Sequence, residues 1–181
     1  MRKALCLALA LILGGALARP VLAADQPAAA PSVKTEILGQ IDDAEKKLVA
    51  LAEATPAEKY GWRPSDKVRS TGEVFLHVAG GNYFLPTLWG AKPPEGLDLK
   101  NIEKGGGDKA KVIDTLKQSF AYVRQAIGSM SDADLTKIVK VFDHDGTVRE
   151  VLLHIAGHAH EHLGQSIAYA RMNGIVPPWS S

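Results

Sequence analysis

The chain has 181 residues, with 21 lysines and arginines against 20 aspartates and glutamates, six histidines and one cysteine. No basic stripe appears, which argues against nucleic acid as a partner, because phosphate recognition relies on clustered lysine and arginine. Cys6 lies in the amino-terminal apolar run, so once that run is removed no disulfide, thiolate nucleophile or cysteine metal ligand remains.

The first residues combine a basic start at Arg2 and Lys3, an apolar run from Ala4 to Ala18 broken by Gly14 and Gly15, and small residues ending in Val21-Leu22-Ala23. This is the pattern of a secretory signal peptide over 1–23, cut after Ala23 or, as a close second, after Ala24. The run is too short and broken for a comfortable membrane span, and Cys6 sits near its start rather than at its end, where a lipid-attachment cysteine belongs. A periplasmic or secreted protein with no stable membrane anchor after processing is expected. Residues 24–32 read as a flexible linker and 33–181 as one folded domain. Loss of Arg2, Lys3 and Arg19 leaves 18 basic residues against 20 acidic ones, a mature balance of −2.

A first amphipathic helix is predicted over Val33–Ala54, where Ile37, Ile41, Ala44, Leu48 and Leu51 recur at steps of three and four. Ser32 suits its N-cap, and Thr55-Pro56 stops it because a residue before proline avoids the helical region. Tyr60 and Trp62 are predicted to anchor the connector that follows. Ser70 and Glu73 make an S-x-x-E capping box, so helix two starts near Thr71. His77 falls mid-helix, with Glu73 one turn before it and Gly81 one turn after. Glycine inside a helix costs ~1 kcal/mol relative to alanine, so the room that Gly80 and Gly81 open beside the histidine calls for a reason other than packing. Pro86 kinks or ends this helix.

Residues 91–107 are predicted as a long loop, of a length that often carries function. A third helix is predicted from Asp108 to Ile127, with Val112, Leu116, Phe120, Val123 and Ile127 on one stripe. Ser131–Val141 has room for a further short turn of helix, and Phe142–Gly146 reads as a turn in which His144 is solvated beside Asp143 and Asp145. Thr147 with Glu150 forms a second capping box that starts helix four, which Gly174 and Pro177-Pro178 end. No run has the sustained alternation of a β-sheet, and the fold predicted is an all-α four-helix bundle.

Helix four carries His154, His158, His160 and His162. At ~100° per residue, positions 154, 158 and 162 lie within ~40° of the line through 158, together with Val151 and Gln165. His160 is turned ~160° away, toward solvent. A neutral imidazole has one donor and one acceptor to satisfy, so such a stripe calls for a metal or a hydrogen-bond network. His158 and His162 have the i, i+4 spacing by which two imidazoles take adjacent corners of one metal. A zinc-protease reading fails, because Ala159 stands where that motif needs glutamate. His77, the one histidine inside another predicted helix, is the candidate third ligand from across the bundle. His154 is a fourth ligand or a neighbour that orients the others, while Glu73 and Gln165 are candidates to orient ligand imidazoles or handle protons. The competing structural reading has the histidines hydrogen-bonded to each other or to backbone.

The order GEVFLHVAGGNYF, HAHEHLGQ and ARMNGIVPP resembles the DinB/YfiT-like proteins, over nearly the whole mature chain. The most specific part is the spacing of His158, His162, Gly164 and Gln165, with Leu163 where that family often has arginine. The resemblance implies a four-helix bundle with a divalent metal on His77, His158 and His162. All-imidazole ligation suits zinc, nickel, copper and iron alike; zinc is the first expectation, with nickel or iron next. It further implies a metal-dependent enzyme, thiol transferase-like or a hydrolase, acting on a small-molecule substrate, and pairing through bundle faces as a homodimer in many members. The alternative is a non-catalytic metal- or ligand-binding bundle with stress-related duties.

Overall fold

In the computed structural model, which describes residues 30–180, four helices form where the periodicity and caps place them. The expected signal peptide and most of the expected linker lie outside the described residues. From Pro31 onward the chain forms one unit. Helix α1 (Val33–Ala54) starts on Ser32, whose hydroxyl accepts from the Thr35 N–H at 3.3 Å, and stops at Thr55, held extended before Pro56. Its face of Ile41, Ala44, Leu48 and Leu51 is fully buried. In the connector, the buried Tyr60 donates its hydroxyl to the Ala52 carbonyl at 2.7 Å, and Trp62 meets Tyr169 edge-on with ring centroids 5.4 Å apart.

Helix α2 (Thr71–Phe84) has both halves of its capping box: the Ser70 hydroxyl accepts from the Glu73 N–H at 3.4 Å, and the Glu73 carboxylate accepts from the Ser70 N–H at 2.6 Å. At Pro86 the helix tightens into a 3₁₀ turn, Leu85–Trp89, closed by Gly90 at φ 94°. Helix α3 (Lys109–Gly128) is capped by Asp108, which accepts from the Lys111 N–H at 3.1 Å. Helix α4 (Val148–Met172) is capped by Thr147 alone. The reciprocal half of the predicted second box is absent, because the Glu150 carboxylate accepts from His144 Nε2 at 2.7 Å instead. Gly174 follows α4 in the left-handed region, φ 72°, with its N–H on the Arg171 carbonyl.

Two segments differ from expectation. After a short 3₁₀ turn at Asp132–Thr136, strands β1 (Ile138–Val141) and β2 (His144–Thr147) pair antiparallel, with Val141 opposite His144. Phe142 and Asp143 alone make the turn, and His144 belongs to a strand. The 91–107 loop contains a 3₁₀ segment, Leu99–Gly105, laid against α2. Two glycines make that docking possible: a Cβ on Gly72 would lie 1.8 Å from the Gly106 carbonyl oxygen. Backbone meets backbone there, and no other residue leaves the space.

The helices form a square in which α1 packs mainly on α3 and α4, and α2 on the same two. Leu48, Leu51, Phe75, Phe120, Leu152 and Ile155 fill the centre. Among the described residues no helix is long and apolar enough to cross a membrane. The feature that positions the site is the α2–α4 contact, which brings His77 to the histidine stripe.

Candidate metal centre

Helix α2 supplies His77 and helix α4 supplies His158 and His162, one turn apart. One ring nitrogen from each can be chosen so that all three lie within 4.8 Å of one another. The ring centroids are 5.0 Å apart for His77 and His158, and 4.6 Å for each of the other two pairs. His162 is the deepest, 8% exposed, while His77 and His158 are half-buried.

Two of the rings are fixed by outer partners. His77 Nδ1–H donates to Glu103 Oε1 at 2.8 Å, and Glu103 Oε2 accepts from Arg69 Nε at 2.8 Å. His162 Nδ1–H donates to Gln165 Oε1 at 2.8 Å, and Gln165 Nε2 donates to the Tyr169 hydroxyl at 3.0 Å. With Nδ1 carrying the proton in a neutral ring, Nε2 carries the lone pair. The third ring, His158, has a buried Nδ1 with no hydrogen-bond partner. Its position depends on Gly81, where a Cβ would lie 2.5 Å from His158 Cε1 and 2.7 Å from Nδ1. The space opened in α2 therefore admits a ring from the facing helix, rather than serving His77 on its own helix.

Burial favours the neutral form of two of the three imidazoles. Burial lowers the His158 pKa to about 3, and the neighbouring His162 and His77 push it the same way. Burial also lowers His77, against the opposing hydrogen bond from Glu103. Burial pushes the Glu103 carboxyl up, but the hydrogen bonds from Arg69 and His77 outweigh it and hold the group below the ordinary carboxylate range. An ionised Glu103 thus faces a neutral His77 across a short hydrogen bond, the arrangement that fixes a ligand tautomer and raises its basicity.

The remaining candidates separate cleanly. Gln165 touches His162 as described. Glu73 does not reach His77: its carboxylate closes the capping box and pairs with Arg63 at 3.2 Å, because a carboxylate in the first helical turn is drawn to the free backbone N–H groups there. His154 is exposed and packs edge-on against Phe142, ring centroids 5.3 Å apart, outside the three-ring group. His160, expected to meet solvent, donates from Nε2 to the Gln40 carbonyl of α1 at 3.1 Å. The contact that sequence reasoning missed is Glu103. Its only signal was the adjacent Gly105-Gly106-Gly107 run, which permits close backbone docking without saying against what.

Three observations fit a divalent metal here. The donor set is all imidazole; two rings have their lone-pair nitrogens fixed by Glu103 and Gln165; and the third has an unpartnered buried nitrogen. Tetrahedral donors at a Zn–N distance of about 2.0–2.1 Å stand roughly 3.4 Å apart, so small side-chain rotations close the observed spread. No hydrogen bond joins one ring of the cluster to another among the described residues, contrary to the purely structural reading. A cavity of about 380 Å³ reaches His77 and His158 from one side.

Residues 40–166 match the family model of the DinB superfamily. The chain belongs to the DinB superfamily. Solved structures similar to this DinB chain include a conserved protein from Enterococcus faecalis, at 16% identity and TM-score 0.62, covering 78% of this chain and 97% of the other. A DinB-like protein from Bacillus cereus matches at 17% identity and TM-score 0.60, covering 78% and 93%. Another, from Bacillus subtilis, matches at 18% identity and TM-score 0.53 with the same coverage. At these identities the likeness is one of fold. Among curated proteins, none matches the chain.

Proposed function

We propose that this DinB protein is exported and holds a divalent metal, zinc most readily and nickel or iron by the same donors, on His77, His158 and His162. The observation that carries the reading is the three-ring group, from which one nitrogen per ring can be taken within 4.8 Å of the others, with the His77 and His162 tautomers set by Glu103 and Gln165 and the buried His158 Nδ1 left without a partner. An ion held there supplies a Lewis acid beside an open cavity. Three protein donors leave coordination positions free, as catalytic sites do, whereas a fourth protein ligand closes a structural one. His154 lies outside the donor group, which favours a catalytic over a storage role. The reading therefore extends to a metal-dependent transferase, thiol-dependent by family likeness, or a hydrolase, with a small-molecule substrate.

The chain's own residues have distinct parts in this proposal. Glu103 and Gln165 hold the His77 and His162 tautomers, Arg69 keeps Glu103 ionised, and His154 stands on the cavity wall within reach of a bound molecule. Export follows from the basic, apolar and small-residue order of 1–23. Elemental analysis of protein purified without an affinity tag, after incubation with Zn²⁺, Ni²⁺ or Fe²⁺, tests the metal reading. About one ion per chain is expected, with loss in His158→Ala and His162→Ala; wild-type protein that stays metal-free with all three ions refutes it.

A further inference from the structure

The cavity beside the cluster has a sharp division of chemistry. His77, His158 and Glu103 lie on the side of the three rings, exposed Lys100 and His154 complete the polar lining, and Phe84, Leu85, Leu99, Ile102 and Phe142 supply hydrocarbon. Its volume of about 380 Å³ is that of a small-molecule site. Single exposed hydrophobic residues are ordinary on a protein surface. Here, however, two aromatic rings left in water, Phe84 at 44% and Phe142 at 54% exposure, line the same cavity.

Phe142 supplies a second, independent observation. It is the first residue of the two-residue turn between β1 and β2 and has φ 53°. Glycine adopts that conformation freely at this turn position, and a bulky residue resists it. A residue selected for the turn alone would be glycine or asparagine. Phenylalanine there holds a ring on the cavity wall, edge-on to His154, and strain of this kind is retained where the surroundings put the side chain to use.

We infer that the cavity binds small molecules built as a hydrocarbon chain or ring with a metal-liganding head, the head at the three-histidine cluster and the body against Phe84, Ile102 and Phe142. The head rests on the metal reading proposed above; the apolar body does not.

Acetohydroxamate and hexanohydroxamate share one metal-liganding head and differ by four methylenes, each worth about fourfold in affinity when fully buried. Calorimetric titration of zinc-loaded protein is expected to give a Kd at least about 30-fold lower for hexanohydroxamate, the burial of between two and three of those methylenes. Phe142→Gly relieves the turn, so its Tm stays level or rises, while hexanohydroxamate binding weakens about five- to tenfold and acetohydroxamate binding is unchanged. Equal affinity for the two hydroxamates, or wild-type hexanohydroxamate affinity in Phe142→Gly, overturns the inference. Metal-free protein titrated with n-hexanol and with ethanol, followed by the methyl resonances of Leu99 and Ile102, separates the two proposals. Hexanol saturation without any metal uptake supports the apolar body and refutes the metal reading together with the head; metal uptake without preference for hexanol over ethanol overturns this inference alone.

Discussion

Gly81→Ala separates helix stability from metal binding. The added Cβ would stand 2.5 Å from His158 Cε1 and 2.7 Å from Nδ1, where ordinary contacts need 3.4 Å or more, so the imidazole must retreat by roughly 1 Å. Alanine in a helix interior is favoured over glycine by ~1 kcal/mol, and overpacking costs about 1–3 kcal/mol. These offset in part and leave a net cost of up to about 2 kcal/mol, so Tm in the presence of a chelator should fall by no more than about 8 °C. Zinc binding has no such compensation if the displaced ring is, as proposed, one of three donors. Competition against a chromophoric chelator should give an affinity at least tenfold weaker than wild type. Gly80→Ala is the control: its Cβ meets nothing closer than Ile102 Cγ2 at 3.4 Å, so it should gain helix stability and keep wild-type zinc affinity. Wild-type zinc affinity in Gly81→Ala would refute the assignment of His158 as a donor in its observed position.

Three further outcomes are expected. Glu103→Gln keeps the shape of the His77 partner but removes its charge, and zinc affinity should drop about tenfold, as for other carboxylates behind a ligand histidine. Glu73→Ala should destabilise the fold by about 1 kcal/mol through loss of the cap while leaving zinc affinity within about twofold; a larger effect on zinc than that of Glu103→Gln would show the two carboxylates wrongly assigned. One part of the pH dependence of the metal-free protein comes from His158, whose pKa falls from an ordinary 6.5 to about 3 on folding. Between those values the unfolded chain binds a proton that the folded chain does not, so this contribution to stability is complete above pH 6.5 and declines as pH falls toward 3. Thermal melts in chelator from pH 7.5 to 4 should record that decline, and His158→Gln should flatten it; an equally steep variant assigns the slope to other groups.

What could be read from the residues and what could not divides along physical lines. The helices were legible because α1 and α3 have a 3.6-residue apolar stripe, α2 is an apolar run behind a capping box, and each helix has a capping residue acting within four positions: Ser32, Ser70, Asp108 and Thr147 each bond an N–H three residues on. The β1–β2 hairpin was not, since strands of four residues are too short for alternation to stand out, and its turn carries phenylalanine where glycine or asparagine is the usual signal. Helical phase brought His158 and His162 to one face but could not rank His154 beside them. Helix α2 has 14 residues against 25 in α4, and His154 meets the hairpin at Phe142 instead of the α2 cluster. Glu103 is 26 positions from His77, in a segment without periodicity, and only the tertiary contact reveals it.

The two oriented imidazoles therefore differ in how their support is built. His162 takes its partner from Gln165 on the same helix, so that support persists as long as α4 is folded. His77 takes its partner from Glu103, whose place depends on the 3₁₀ segment staying docked through the backbone contact of Gly72 with Gly106. Docking that improves the orientation of His77 must raise affinity for anything bound through it, and by linkage the bound species favours docking by the same factor. Leu99 and Ile102, on the same segment, line the cavity. One docked segment thus positions both the carboxylate behind a histidine and the hydrocarbon beside it.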